Sequence, residues 1–281
     1  MVYEELIRRY STPMKPVAAS LPPKGSPVKP VRAVLFDVYG TLLISRAGDI
    51  GGAQSEAASR IDEIAELCRG YGLTIEAGLL LERFFRNIEA EKKRLSDQGV
   101  EFPEVLIEEI WMRVLDIKDR DLARLFALEF ELTVNPVYPM PGLAKLLDGL
   151  RNRGLEMGII SNAQFYTPFL FSAHLGRDLE GLGFRKDLLF FSYNLGFGKP
   201  GGAAFETAAL NLEKTGVRRE ETLFLGNDML KDILPARAAG FQTVLFAGDS
   251  RSLNLREDDD RCGAVKPDMI ITDLAQLLDC L

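Results

Sequence analysis

The sequence predicts an α/β fold: a doubly wound parallel sheet with an all-helical cap inserted after its first strand. Three observations carry this. From residue 136 onward, short β-rich apolar runs alternate with helical segments, the order that lays parallel strands beneath helices on both faces. Residues 53–134 show helical periodicity and almost no strand signal. Finally, 47% of the 281 residues are hydrophobic, enough to build a core without disulfide or metal support.

Residues 1–30 stand apart. Val2–Tyr10 is spaced as a short amphipathic helix, and six of the fourteen prolines then fall between Pro13 and Pro30. Such an arm is either a loose tail or docks on its own protomer or on a second copy, as a homodimer. The run from Val31 to Phe36 suits a buried central strand and stops at Asp37. A Gly48–Gly52 connection leads into four helices, marked by Ile61/Ile64/Ala65/Cys68, Leu80/Leu81/Phe84/Phe85/Ile88, Leu106/Ile110/Trp111/Val114 and Leu122/Leu125/Phe126/Leu128. Pro136, Pro139 and Pro141 end that bundle. Strands are then expected at Leu155–Ile160, Leu188–Tyr193, Thr222–Leu225, Thr243–Phe246 and Met269–Ile271. Helices are expected at Leu143–Leu150, Ala203–Leu212 and Leu230–Ala239 and at the C-terminus. The division is thus an arm (1–30), a Rossmann-like core (31–47 and 136–281) and a helical cap (48–135).

Charge and cysteines bound the partners. The net charge of −7, without a basic stripe, argues against nucleic acid or an anionic membrane as partner. Three scattered cysteines lack metal or redox spacing and indicate a reducing compartment. No apolar stretch approaches 18 residues, and Glu4, Glu5, Arg8 and Arg9 interrupt any signal-peptide core, so a cytoplasmic protein is expected.

In an open parallel sheet, ligands bind beyond the carboxyl ends of the strands. Asp37 and Thr41 follow the first apolar run, Ser161 and Asn162 the second, Lys199 the third, and Asp228 with Asp232 the fourth. Any one of these could be a turn or cap residue. Four in succession, each at a strand end, define one site. Asp37-x-Tyr39-Gly40-Thr41-Leu42, Ser161-Asn162, Gly198-Lys199-Pro200 and Gly226-Asn227-Asp228-x-x-x-Asp232 resemble the four motifs of the haloacid dehalogenase superfamily. The insertion between the first and second resembles that family's cap.

The resemblance implies a hydrolase that forms a covalent intermediate on Asp37. The residue types suit that role. A carboxylate can split one difficult displacement into two easier ones. Thr41 and Ser161 can donate hydrogen bonds to a transferred anion, and Lys199 places positive charge where charge develops. Asp37, Asp228 and Asp232, with the Tyr39 carbonyl, suit Mg²⁺. Two markers conflict. Phosphatases of the superfamily carry a second Asp at the position of Tyr39, whose phenol is a poor proton shuttle at neutral pH; tyrosine there resembles the metal-independent 2-haloacid dehalogenases. Against that branch stand Asp228, and Phe205 where those enzymes have tyrosine. The expectation is a Mg²⁺-dependent phosphatase acting on a small anionic metabolite. The alternatives are a dehalogenase and a binding or regulatory protein that has lost turnover. His174, the only histidine, is expected to pack rather than catalyse; Arg46 and Arg83 are cations that could reach substrate.

Overall fold

The computed structural model of the protein describes residues 2–45 and 50–281, the side chains of 50–54 excepted. In chain order the elements begin with α1 (Val2–Tyr10), β1 (Lys24–Gly25), β2 (Ala33–Phe36) and β3 (Leu43–Ser45). Five helices follow: α2 (Ile50–Ser59), α3 (Ile61–Gly70), α4 (Ala77–Asp97), α5 (Ile107–Leu115) and α6 (Arg120–Val134). Then come β4 (Val137–Pro139), α7 (Leu143–Asn152), β5 (Glu156–Ser161), α8 (Thr167–Leu175), β6 (Phe184–Phe191), α9 (Ser192–Leu195) and α10 (Ala203–Glu213). The chain closes with β7 (Thr222–Gly226), α11 (Leu234–Ala238), β8 (Gln242–Phe246), α12 (Asp260–Gly263), β9 (Met269–Ile271) and α13 (Ala275–Cys280).

Seven strands form one sheet in the order β1-β9-β8-β7-β2-β5-β6, parallel except for β1. The chain builds outward from β2 through β5 to β6, then returns to β7 on the other side of β2. The strand order therefore reverses at β2, and the crevice beyond its carboxyl end is where a doubly wound sheet places its ligand. Alternate residues of β2 feed two cores, because successive strand side chains point to opposite faces. Val34 and Phe36 join Ile159, Leu225 and the cap helices, whereas Ala33 and Leu35 join Leu188, Phe205 and Phe224.

Three boundaries differ from expectation. The strand expected at Leu188–Tyr193 runs from Phe184 to Phe191. It is the edge strand, so polar Lys186 and Asp187 remain exposed and hide its start from an apolar pattern. The helix expected at Leu230–Ala239 splits into a wide turn (Met229–Ile233) and α11, whose first turn carries Pro235. Of the Gly48–Gly52 connection, Ile50–Gly52 open α2, while Gly48 and Asp49 lie outside the described residues. What joins core and helices is instead a short antiparallel ribbon, with Leu43 opposite Pro139 and Ser45 opposite Val137.

The arm docks on its own chain. Ile7 of α1 is fully buried, the Tyr3 ring lies 4.9 Å from that of Phe169, and Ser11 meets His174 at 3.2 Å. Further along, the Ser250 N–H donates to the Val17 carbonyl and β1 pairs with β9. Part of the arm's apolar face, Ile7 above all, is thus used within the protomer, while Val2, Val17 and Val28 stay exposed. Among the described residues, no helix is long and apolar enough to cross a membrane.

Candidate active site

Asp37 lies directly after β2, 7% exposed. The Lys199 ammonium donates to Asp37 Oδ1 at 2.7 Å and to Asp232 Oδ1 at 2.5 Å. The other oxygen of Asp232 accepts the N–H groups of Asn227 and Asp228, both at 3.0 Å. Burial works against the Lys199 charge, but Asp232 and Asp37 outweigh it and hold the ammonium at about 12. Burial raises the Asp232 carboxyl above the ordinary range, with Lys199 pulling the other way. Chain segments 162 residues apart thus meet in one buried ion cluster.

The neighbouring motifs hold this cluster in place. Asn162 accepts the Lys199 N–H at 2.7 Å and donates to the Lys199 carbonyl at 3.0 Å, fixing the lysine backbone. A side chain at Gly198 would meet Asn162 Oδ1 at 2.5 Å, so this close approach requires glycine. Gly40 turns the loop after β2 with φ +81°. The Thr41 hydroxyl is fully buried and donates to Asn227 Oδ1 at 3.1 Å, which ties that loop to the end of β7. Ser161 is also buried, with only a long 3.4 Å contact to the Asn162 carbonyl.

Tyr39 does not offer an easily shared proton. Its hydroxyl is bonded to Thr167 Oγ1 at 2.8 Å, and burial, followed by the charge of Glu131, pushes the phenol well above its usual range.

Asp228 is at the expected strand end but is turned to other work. Its Oδ1 caps the wide turn by accepting the N–H groups of Leu230 and Lys231, at 2.8 and 3.0 Å. Arg256 clamps it from the other side, with Nη2 at 2.6 Å from Oδ2. The expected magnesium set is therefore not assembled. Asp228 is committed to Arg256 and Asp232 to Lys199, and no three His, Cys, Asp or Glu side chains converge as ligands among the described residues. These donors do not fit the ion as the sequence reading places it. The repulsion between carboxylates that seemed to demand a metal is relieved by Lys199 and Arg256.

A cavity of about 630 Å³ lies above Lys199, between core and cap. Tyr39, Asn162 and Lys199 line it, together with the apolar Phe84, Phe85, Trp111 and Phe130; Asp37, bonded to Lys199, is not itself among the lining residues. The Gly198 N–H donates to the Phe102 carbonyl at 2.8 Å, and the Glu104 N–H to that of Gly196 at 3.0 Å. These bonds seat the cap against the loop bearing Lys199. A second cavity of about 720 Å³, between α1 and helices α3 and α6, contains no strand-end residue and lies away from this chemistry. Arg83 is exposed and outside the site cavity, and Arg46 is outside the described residues. His174 packs on Tyr138, as expected.

Sequence reasoning missed Glu131, Tyr166 and Asn135, which line the same cavity. Only Glu131 left a signal, as an acidic residue within the apolar end of a helix, Phe130-Glu131-Leu132-Thr133-Val134.

A family model described as haloacid dehalogenase-like hydrolase matches residues 31–240. Glyceraldehyde 3-phosphate phosphatase of Methanocaldococcus jannaschii is 25% identical over 255 residues, 89% of this chain and 96% of its own. Among solved structures, a 2-haloacid dehalogenase from Pseudomonas syringae pv. Tomato matches with a TM-score of 0.54 at 24% identity, over 89% of this chain and 97% of that one. A HAD phosphatase from Thermococcus onnurineus matches over the same shares, with a TM-score of 0.53 at 18% identity. The two solved structures share its fold.

Proposed function

The chain belongs to the haloacid dehalogenase-like hydrolases, and within that family we propose that it cleaves a small organic phosphate monoester through Asp37. The observation that carries this reading is the cavity above the Asp37–Lys199–Asp232 cluster. A 2-haloacid of six heavy atoms occupies at most roughly 180 Å³, taking water's share of about 30 Å³ per heavy atom as the yardstick. The space of about 630 Å³ suits a considerably larger organic group. The phosphatase relative supports the same choice.

The roles follow from the contacts. Asp37 attacks phosphorus and forms an aspartyl phosphate, which water then hydrolyses. Lys199 holds Asp37 in position and presents fixed positive charge to the transferred group. Asp232 anchors the lysine, and Asn162 fixes its backbone. The seated cap limits water at the reacting centre.

A second reading keeps one supporting observation. Tyr39 supplies no usable acid and Asp228 is closed by Arg256, which suits displacement of a halide that needs neither proton nor metal. The test is a paired assay of phosphate release from a panel of monoesters and halide release from 2-haloacids. Phosphate release by the wild type, abolished in Asp37→Asn with the melting temperature within a few degrees, is the expected result. Halide release alone overturns the phosphate reading, and full activity of Asp37→Asn overturns the covalent mechanism.

A further inference from the structure

We propose that Glu131 of α6 is the proton donor and acceptor of this site, in the role that the tyrosine at position 39 leaves vacant; this rests on the phosphate-ester reading above. Glu131 lines the same cavity as Tyr39 and Lys199. It is held on the cavity wall by a chain of contacts that begins at the ribbon joining core and cap. Ser45 of β3 donates to Asn135 Oδ1 at 3.1 Å, and Asn135 Nδ2 donates to Glu131 Oε1 at 2.9 Å. The Tyr166 hydroxyl, from the loop after β5, stands beside the same carboxyl. Ser45 of β3, Asn135 at the end of α6 and Tyr166 after β5 thus hold one carboxyl at the cavity wall.

Competing groups are occupied. Glu104, also on the wall, spends Oε2 on the Ser192 hydroxyl at 2.7 Å and Oε1 on the Val105 N–H at 2.9 Å. Asp232 faces Lys199, and the Tyr39 hydroxyl is tied to Thr167.

The environment of Glu131 favours a retained proton. It lies in the last turn of α6, where the helix dipole disfavours negative charge. Burial raises its carboxyl above the ordinary glutamate range, against the hydrogen bond from Asn135. The titratable groups facing it are Tyr39 and Tyr166, both held neutral by the same burial; Lys199, Lys231 and Glu104 share the cavity. A carboxyl whose proton is held more tightly than in free glutamate suits a general acid that must help expel an alkoxide.

The chemistry balances. As Asp37 forms its bond to phosphorus, the bond to the ester oxygen breaks and that oxygen takes the Glu131 proton, leaving as an alcohol. The Glu131 carboxylate then takes a proton from the water that attacks the aspartyl phosphate. The P–O bond to Asp37 breaks, and inorganic phosphate departs with both carboxyl groups restored.

The test compares kcat/KM for butyl phosphate, whose alkoxide leaves poorly, with that for p-nitrophenyl phosphate, whose phenolate needs little help. Glu131→Gln should lose about 10²–10⁴-fold on the alkyl ester and less than about tenfold on the aryl ester. Glu131→Asp, which keeps a carboxyl, should recover part of the alkyl activity; this recovery also identifies the role if the glutamine variant folds poorly. Equal loss on both esters, or no loss, overturns the assignment while the phosphate reading stands. If the wild type releases phosphate from neither ester, the phosphate reading falls and this role with it.

Discussion

Lys199 stands between Asp37 and Asp232, so one ammonium bridges two buried carboxylates that follow the neighbouring strands β2 and β7. Removing it leaves them facing each other uncompensated. Lys199→Met should therefore abolish turnover and cost about 3–5 kcal/mol in urea unfolding; a loss of activity with unchanged stability would mean that the lysine is not structural. Glu131 makes the opposite test of burial. Its folded-state pKa lies above the unfolded value, so its contribution to stability is full at low pH and is lost as pH rises through the folded value. Because glutamine does not titrate, the stability of Glu131→Gln relative to wild type should grow as pH rises above about 4, the unfolded glutamate value. A gap independent of pH would contradict the burial argument. Arg256 bears on the metal question. If it is what diverts Asp228, then Arg256→Met should melt with a larger Mg²⁺-dependent shift than the wild type, by mass action on the freed carboxylate. Equal shifts would show that Arg256 does not keep Asp228 from the ion.

At the scale of elements, α1 carries more weight than an N-terminal arm usually does. It lies against α8 of the core and α6 of the cap, with Ile7 fully buried. Ile7→Ala should destabilise the protein by about 2–4 kcal/mol, measured as the shift in urea midpoint; a change below about 0.5 kcal/mol would show that α1 is only loosely docked. The ribbon of β3 and β4 has a different task. It carries the chain from the Asp37 loop into the cap and back, and Ser45 and Asn135 at its end reach Glu131. Catalytic and cap residues are thereby coupled through a few hydrogen bonds. Neither strand of this ribbon has enough length or periodicity to read from sequence.

Over the whole molecule, the cap meets the core through the Phe102–Glu104 contact with Gly196–Gly198, through α1, and through Arg124 stacked 4.7 Å above Phe165. Closure of the cap over a bound substrate would tighten these contacts, as in enzymes gated by domain closure. Small-angle scattering should therefore show a smaller radius with a phosphate analogue than without; identical profiles would count against gating. Much of this organisation is legible in the chain. The doubly wound sheet, the central strand ending at Asp37, the helical insertion and the four strand-end motifs all follow from local periodicity and order along the sequence. The pairing of Asp37, Lys199 and Asp232 follows as soon as parallel strands align their carboxyl ends. What the sequence could not decide is where side chains turn once packed. Asp228 looks like a ligand in the motif, yet at the start of a turn its cheapest partners are backbone N–H groups and Arg256, 28 residues downstream. Glu131 stands out only as an acid within an apolar helix end, and what it meets there is set once the last turn of α6 packs beside Tyr166 and Asn135. Those assignments depend on contacts between distant segments and on the burial those contacts create, and only the tertiary structure sets either.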